Sequence, residues 1–264
     1  TTTPIHHSLP TMKLFLAALF ASSAAAFTQS SFNGQRMASA QTKASMTMET
    51  SEDLAVLAKK LNPVVGFFDP LGLAEANFWD TTSEETIGFL RESEVKHGRI
   101  AMFAFVGFIA HANGFTFPWD MTLDGTPFPT GMSPPEAWDA IPEAAKWQIF
   151  TFIGFLEFYR EVASETHYMK GGKPGYFPDF KASVIPGGAL NYYDPFGISR
   201  KNDDAKKEAG LIKEINNGRL AMIGIFGFVS EAQVPGSVPA LKGIIPEYSG
   251  DVMAPFSTSI LPHL

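Results

Sequence analysis

The sequence predicts an all-α membrane protein with three transmembrane helices, the first and third related by a pseudo-twofold axis and crossed by reciprocal Glu–Arg pairs. Three observations carry this expectation. Glu94-Val95-Lys96-His97-Gly98-Arg99-Ile100-Ala101-Met102 returns 120 positions later as Glu214-Ile215-Asn216-Asn217-Gly218-Arg219-Leu220-Ala221-Met222, and the match runs on through Gly107/Gly227 and Phe108/Phe228. Self-similarity at a fixed offset means two copies of one structural unit. A third apolar segment, residues 147–160, lies between the copies with aromatic residues at both ends, as membrane interfaces favour. The third observation is the distribution of basic residues. None stands between residues 100 and 145, eight follow between Arg160 and Arg219, and only Lys242 comes after. Under the positive-inside rule the first segment enters from the basic side, the second returns and the third enters again. Two copies related by an axis along the membrane normal must cross in one direction, so a single span has to separate them.

The elements follow in chain order. Residues 1–48 contain no Asp or Glu. Met12-Lys13, the apolar run 14–20 and the small residues 21–26 form an n-region, an h-region and a cleavage site. The Ser-, Thr- and Ala-rich stretch after Phe27 has transit-peptide composition. The expected organisation is a bipartite plastid-targeting leader over 1–48 and a single domain over 49–264. Residues 53–60 read as a short surface helix. The hexapeptide 68–73, Phe-Asp-Pro-Leu-Gly-Leu, reads as a turn and resembles 193–198, Tyr-Asp-Pro-Phe-Gly-Ile. Helices are expected from Glu94 onward and from Glu214 onward, and 113–142 and 166–205 read as long ordered loops.

Charges inside apolar helices demand partners, because an unpaired buried charge costs several kcal/mol. Glu94 and Arg99 are five positions apart, or about 140° around a helix, so one helix cannot pair them well. Two copies crossing about a twofold axis can, Glu94 with Arg219 and Glu214 with Arg99. Small residues at three-residue steps, Gly98, Ala101, Ala104 and Gly107 with Gly218, Ala221, Gly224 and Gly227, suit a close crossing. On the middle segment Glu157 and Arg160 are expected to pair locally.

Each paired Glu is expected to keep one carboxylate oxygen free, and His97 and Asn217 stand one turn further on. Such donors suit magnesium. Standing on separate stretches of helix, they offer one axial ligand per site, which is what a magnesium tetrapyrrole needs. His111 and Glu231 fall 14 residues beyond His97 and Asn217, ~21 Å along the axis and within about 40° of the same face, which makes them a second candidate layer. Gln148 is a further candidate.

Composition narrows the classes. There is no Cys among the 264 residues, which excludes disulfide scaffolds, Cys-ligated zinc, iron–sulfur clusters and thiol nucleophiles. A net charge of −7 argues against nucleic-acid binding. No catalytic triad or phosphate loop is visible, so the expected protein is not an enzyme.

Glu94-x-x-His97-Gly98-Arg99 and Glu214-x-x-Asn217-Gly218-Arg219, with Glu157-x-x-Arg160 between them, resemble the chlorophyll-binding light-harvesting superfamily over roughly residues 60–235. Within it the chain is similar to the fucoxanthin chlorophyll a/c-binding proteins of diatoms and related algae. The resemblance implies a thylakoid antenna protein, multi-pass in the plastid. Its cofactors would be chlorophyll a, chlorophyll c and fucoxanthin, with diadinoxanthin or another xanthophyll as a further candidate. Its partners would be a photosystem I or II core, other antenna subunits and thylakoid lipids. Chlorophyll magnesium would be ligated by Glu94, His97, Glu157, Glu214 and Asn217, with Arg99, Arg219 and Arg160 in structural ion pairs, and the turns 68–73 and 193–198 would hold carotenoid head groups. The chain departs from the plant pattern at Glu231, which stands where plant relatives have Gln, and at Gln148, which is one residue out of register. His263 is not carried over. The rival readings are a photoprotective, energy-dissipating member that senses pH through Asp120, Asp124, Glu136 and Asp139, and a small ion or proton transporter. A haem site made of His97 and His111 fails because they are ~21 Å apart along one helix.

Overall fold

A computed structural model describes residues 49–178, 180, 202–252 and 254–256, and among them every regular element is helical. The expected leader, the turn 193–198 and His263 lie outside the described residues. Five α-helices follow in order: α1 (Ser51–Leu61), α2 (Ser83–Ala112), α3 (Pro134–Asp139), α4 (Glu143–Ala163) and α5 (Asp204–Gln233).

The repeated segments are longer helices than the duplicated motif suggests. α2 starts at Ser83 rather than Glu94 because Thr82 and Glu85 form a reciprocal cap. The Thr82 N–H donates to Glu85 Oε2 at 2.9 Å, and the Glu85 N–H donates to Thr82 Oγ1 at 3.3 Å. A Thr50/Asp53 box starts α1 in the same way, and the Ser133 N–H donates to Glu136 Oε2 at 2.8 Å at the start of α3. That last box places a helix inside the stretch 113–142 expected to be loop.

Both α2 and α5 have 30 residues and α4 has 21, about 45 Å and 32 Å of helix at 1.5 Å per residue. No helix among the described residues is long and apolar enough to cross a membrane. Charge is the reason, not length. The first half of α2 carries Glu84, Glu85, Arg91, Glu92, Glu94 and Lys96, with Arg99 just beyond, and the first half of α5 is similarly charged.

The described residues fall into two compact units. One combines the chain up to Phe105 with Glu143–Ile225; the other combines Val106–Pro142 with the chain from Phe226 onward.

In the first unit α2 and α5 cross at Gly98 and Gly218, equivalent positions of the repeat. A methyl group added at Gly98 would lie 3.1 Å from the Gly218 Cα, and one added at Gly218 would lie 2.9 Å from the Gly98 Cα. The backbones touch there, and no larger side chain fits. Equivalent apolar pairs flank the contact and are buried, Val95 with Ile215 and Ala101 with Ala221. The expected three-residue stripe does not continue: a methyl group at Gly107 would meet nothing within 4 Å. Nine residues turn a helix by about 900°, which sets Gly107 on the side opposite Gly98. α1 lies against α5 through Lys60 Nζ–Glu208 Oε1 at 2.7 Å and a hydrogen bond from Asn216 Nδ2 to the Leu61 carbonyl at 3.2 Å.

In the second unit the contacting equivalent pair is Phe108 and Phe228, with ring centroids 5.0 Å apart. The tail packs onto α3 and the end of α5. Tyr248 donates from its hydroxyl to Asp139 Oδ2 at 2.7 Å, and its N–H donates to the Ala232 carbonyl at 2.8 Å. Burial, reinforced by the Asp139 carboxylate, pushes the Tyr248 pKa up to about 12.

The crossing makes opposite predictions for two glycines of the repeat, one at the contact and one away from it. Gly218→Leu should destabilise the protein by about 1–3 kcal/mol, because the extra atoms meet backbone that cannot yield. Gly107→Ala should be neutral or stabilising by up to about 1 kcal/mol through helix propensity. Thermal unfolding of both variants checks this, and equal Tm values would contradict the crossing.

Candidate pigment-binding site

The two motif copies bring their charges together across the crossing. Arg99 Nε donates to Glu214 Oε1 at 2.6 Å, and Arg219 Nε and Nη2 both approach Glu94 Oε1 at 2.7 Å. These are the reciprocal pairs that the motif spacing calls for. Neither pair is fully buried, with Glu214 28% exposed and Glu94 24% exposed, so solvent weakens both to an intermediate strength.

The copies differ in what remains free. Glu214 Oε2 accepts no hydrogen bond among the described residues, as expected. Glu94 has no idle oxygen, because Arg91 Nη1 takes its Oε2. Arg91 stands one turn before Glu94 on the same face, and its Nε also reaches Glu49 at 3.1 Å. A carboxylate oxygen carries two lone pairs, so Glu94 keeps ligating capacity, but its charge is compensated twice.

His97 is exposed, and its Nδ1 lies 2.8 Å from the Ser93 carbonyl one turn back. A carbonyl oxygen can only accept, so Nδ1 is the donor in this contact, and in the neutral ring that leaves the lone pair on Nε2. This is the tautomer a metal requires, held by its own helix. Asn217, at the equivalent position, is exposed and its side chain makes no hydrogen bond among the described residues. Two outward donor atoms, one nitrogen and one oxygen, therefore stand at symmetric positions beside compensated carboxylates. Magnesium in a tetrapyrrole takes such a donor as its axial ligand, so the set fits the group.

The other candidates separate. Gln148 is exposed on α4, without a hydrogen-bond partner among the described residues. In the second unit His111 Nε2 is shielded from solvent and has no hydrogen-bond partner among the described residues. Glu231 is buried and engaged within the chain. Its Oε1 accepts from the Gly236 N–H and its Oε2 from the Val238 N–H, each at 2.8 Å, and the residue is 2% exposed. The chain after α5 turns back at Pro235-Gly236 and needs acceptors for N–H groups that the helix cannot satisfy, which draws Glu231 inward.

The expected local pair of Glu157 and Arg160 does not form. Arg160 is buried and its Nη2 lies 2.6 Å from Glu92 Oε2, while Glu157 is exposed and pairs with Lys96. Glu92 also accepts from the Gly175 N–H at 2.5 Å, and Arg99 Nη1 donates to the Gly175 carbonyl at 2.6 Å. A methyl group at Gly175, where φ is +75°, would meet Arg99 Nη2 at 3.1 Å, so the loop closes over α2 only with glycine there. Glu92 and Arg160 thus fasten α2, α4 and the loop after α4 into one network. The sequence carried a sign of it, since Glu92 and Arg99 are seven residues apart and share a helix face.

The turn 68–73 sits as its Asp-Pro and Gly suggest. Asp69 accepts from the Ala74 N–H at 2.9 Å and the Leu73 N–H at 3.0 Å, and these bonds hold its carboxyl below the ordinary range. This turn and α1 border an open recess of about 510 Å³. Its lining is apolar at Leu57, Leu61, Phe67 and Leu90, and charged where Glu94 and Arg219 meet.

The family described as Chlorophyll A-B binding protein matches residues 54–233. The chain is 36% identical over 235 residues to a fucoxanthin-chlorophyll a-c binding protein of Trieres chinensis, covering 86% of this chain and 98% of that one. It is 34% identical to fucoxanthin-chlorophyll a-c binding protein B of Phaeodactylum tricornutum, over 86% of this chain and 97% of that one. It is 32% identical to light-harvesting complex stress-related protein 1 of Chlamydomonas reinhardtii, over 83% of this chain and 80% of that one. The crossed, duplicated helices make this a helical protein built on an internal repeat. The chain belongs to the chlorophyll a/b-binding protein family.

Removing either arginine exposes the difference between the copies. Arg99→Leu strands Glu214 and the Gly175 carbonyl, whereas Arg219→Leu leaves Glu94 with Arg91. Thermal unfolding should show a loss of about 2 kcal/mol or more for Arg99→Leu and about 1 kcal/mol for Arg219→Leu. The reverse order would mean that Arg91 does not share the load.

Proposed function

We propose that this protein is a light-harvesting antenna subunit of the plastid thylakoid membrane, binding chlorophylls and carotenoids and passing excitation energy to a photosystem. The observation that carries this reading is the symmetric pair His97 and Asn217, each with its ligating atom free beside a charge-compensated Glu. Family membership and similarity to fucoxanthin-chlorophyll a-c binding proteins support it.

The protein acts here as a scaffold. Bound chlorophylls supply absorption and energy transfer. His97 Nε2, the Asn217 amide oxygen, Glu214 Oε2, Glu94 and Glu157 would hold chlorophyll magnesium, with His111 and Gln148 as additional ligands and Glu231 left out. Arg99 and Arg219 neutralise the carboxylates without consuming every lone pair, so an anionic ligand can sit in an apolar setting. The exposed apolar residues Ile100 and Phe103 on α2 and Leu220 and Ile223 on α5 occupy equivalent positions. They offer matching surfaces to carotenoid chains, with the turn 68–73 at a head group. Chlorophyll a, chlorophyll c and fucoxanthin are the pigments the similarity favours, with diadinoxanthin or another xanthophyll as an additional ligand.

α2, α4 and α5 are the three spans of this reading. Their lengths exceed or match the ~30 Å hydrocarbon thickness, and the charged starts of α2 and α5 extend beyond it. The ion pairs across the crossing reduce the cost of the charges that remain at depth. A photosystem core, neighbouring antenna subunits and thylakoid lipids would then cover the apolar outer faces. The dissipating alternative is weaker, since two of its four acidic sensors have structural roles: Glu136 caps α3 and Asp139 holds Tyr248.

Purification in mild detergent followed by pigment chromatography tests the reading. Chlorophyll a, chlorophyll c and fucoxanthin should co-purify with the chain. His97→Leu and Asn217→Leu should each remove about one chlorophyll per chain, since each site depends on one axial ligand. A pigment-free protein, or variants that keep every chlorophyll, would refute it.

A further inference from the structure

The cation that serves Glu157 comes from another helix. Arg160, three residues along α4, is fully engaged elsewhere. Its Nη2 meets Glu92 Oε2 at 2.6 Å, its Nη1 meets Glu161 at 3.1 Å, and its Nε donates to the Tyr176 carbonyl at 3.2 Å. Its guanidinium also lies 4.6 Å above the Tyr168 ring. At 5% side-chain exposure it cannot swing out to Glu157, whose side chain is 53% exposed. Lys96 on α2 fills that place, with Nζ bonded to Glu157 Oε2. On its other side Nζ lies 3.8 Å from Glu92 Oε1, a buried oxygen with no hydrogen-bond partner among the described residues. Lys96 is therefore held between two carboxylates, one buried and one exposed, and Glu157 Oε1 is left without a partner among the described residues.

We infer that Lys96 is the positioning residue of a chlorophyll site at Glu157: it compensates the carboxylate from α2 and leaves Oε1 to ligate magnesium, so that α2 and α4 build this site jointly. The inference rests on the pigment-binding reading above. Its physical basis is that a carboxylate in an apolar setting stays ionised, and so remains a ligand, only with a cation at hand. Lys96 is also the neighbour of His97, so the sites at Glu157 and His97 share one turn of α2.

The test refolds the full chain with chlorophyll a, chlorophyll c and fucoxanthin. It compares the unmodified protein with Lys96→Met, Lys96→Arg and Glu157→Leu by chlorophyll per polypeptide and by visible circular dichroism. Lys96→Met should lose the chlorophyll that Glu157→Leu loses, with the same difference spectrum and about 10-fold lower occupancy of that site. Lys96→Arg should restore it, which a packing role for the lysine stem would not require. Loss in Glu157→Leu with full retention in Lys96→Met overturns the inference and spares the function. So does a Lys96→Met protein that sheds pigments beyond the one at Glu157, or a Lys96→Arg protein that behaves like Lys96→Met. No loss in Glu157→Leu overturns the pigment site and the inference together, and a refolded chain that takes up no chlorophyll overturns the function as well.

Discussion

Everything in the first unit is arranged around opposite charges exchanged across a glycine contact. The Gly98–Gly218 contact brings two helix backbones within van der Waals distance, and Glu94, Arg99, Glu214 and Arg219 complete each other across it. Each half depends on the other. Without the close approach the guanidinium forks could not reach the facing carboxylates, and without the pairs each partly buried charge would lose its counter-ion. The duplicated sequence is what makes the reciprocity possible, since one motif supplies both an acid for its partner's base and a base for its partner's acid.

The compensation has a chemical consequence. A carboxylate neutralised by a cation on one oxygen can still donate a lone pair, and a neutral His or Asn one turn away needs no counter-charge at all. The structure therefore offers several isolated hard donors rather than one cage, and no cluster of three or more His, Asp or Glu suited to a bare metal ion occurs among the described residues. Isolated donors suit a macrocycle that brings four nitrogens of its own. A second network works beside the first: Glu92 and Arg160 tie α4 and the loop at Gly175 to α2. It releases Glu157 from its near neighbour and hands it to Lys96.

Much of this was legible in the residues. The 120-residue offset exposes the repeat, and simple helix arithmetic shows that Glu94 and Arg99 cannot pair within one helix, which leaves the crossed arrangement. What stayed hidden depended on tertiary choice. Arg160 had three carboxylates in reach, Glu157 and Glu161 on its own helix and Glu92 on another. Burial decided for Glu92, because a buried guanidinium beside Tyr168 and the Tyr176 carbonyl satisfies more donors than an exposed i,i+3 pair. Glu231 looked like a ligand by symmetry with His111, yet the tight turn after α5 claimed both its oxygens. α2 begins well before the repeated motif because Thr82-x-x-Glu85 caps it, a signal that lies outside the repeat. The three-residue glycine stripe failed through phase, since nine residues bring the helix to its far side.

The central claim is that the two copies hold each other by charge, and exchanging the charges tests it most directly. Arg99→Glu and Glu214→Arg, made singly and together, form a thermodynamic cycle read by thermal unfolding. Each single variant places like charges face to face and should lose stability. The double variant restores an opposite pair with its order reversed and should recover a coupling energy within the ~0.5–3 kcal/mol typical of contacting residues. Additive losses in the double variant would show that these charges do not act on one another, and the account built on their pairing would be wrong.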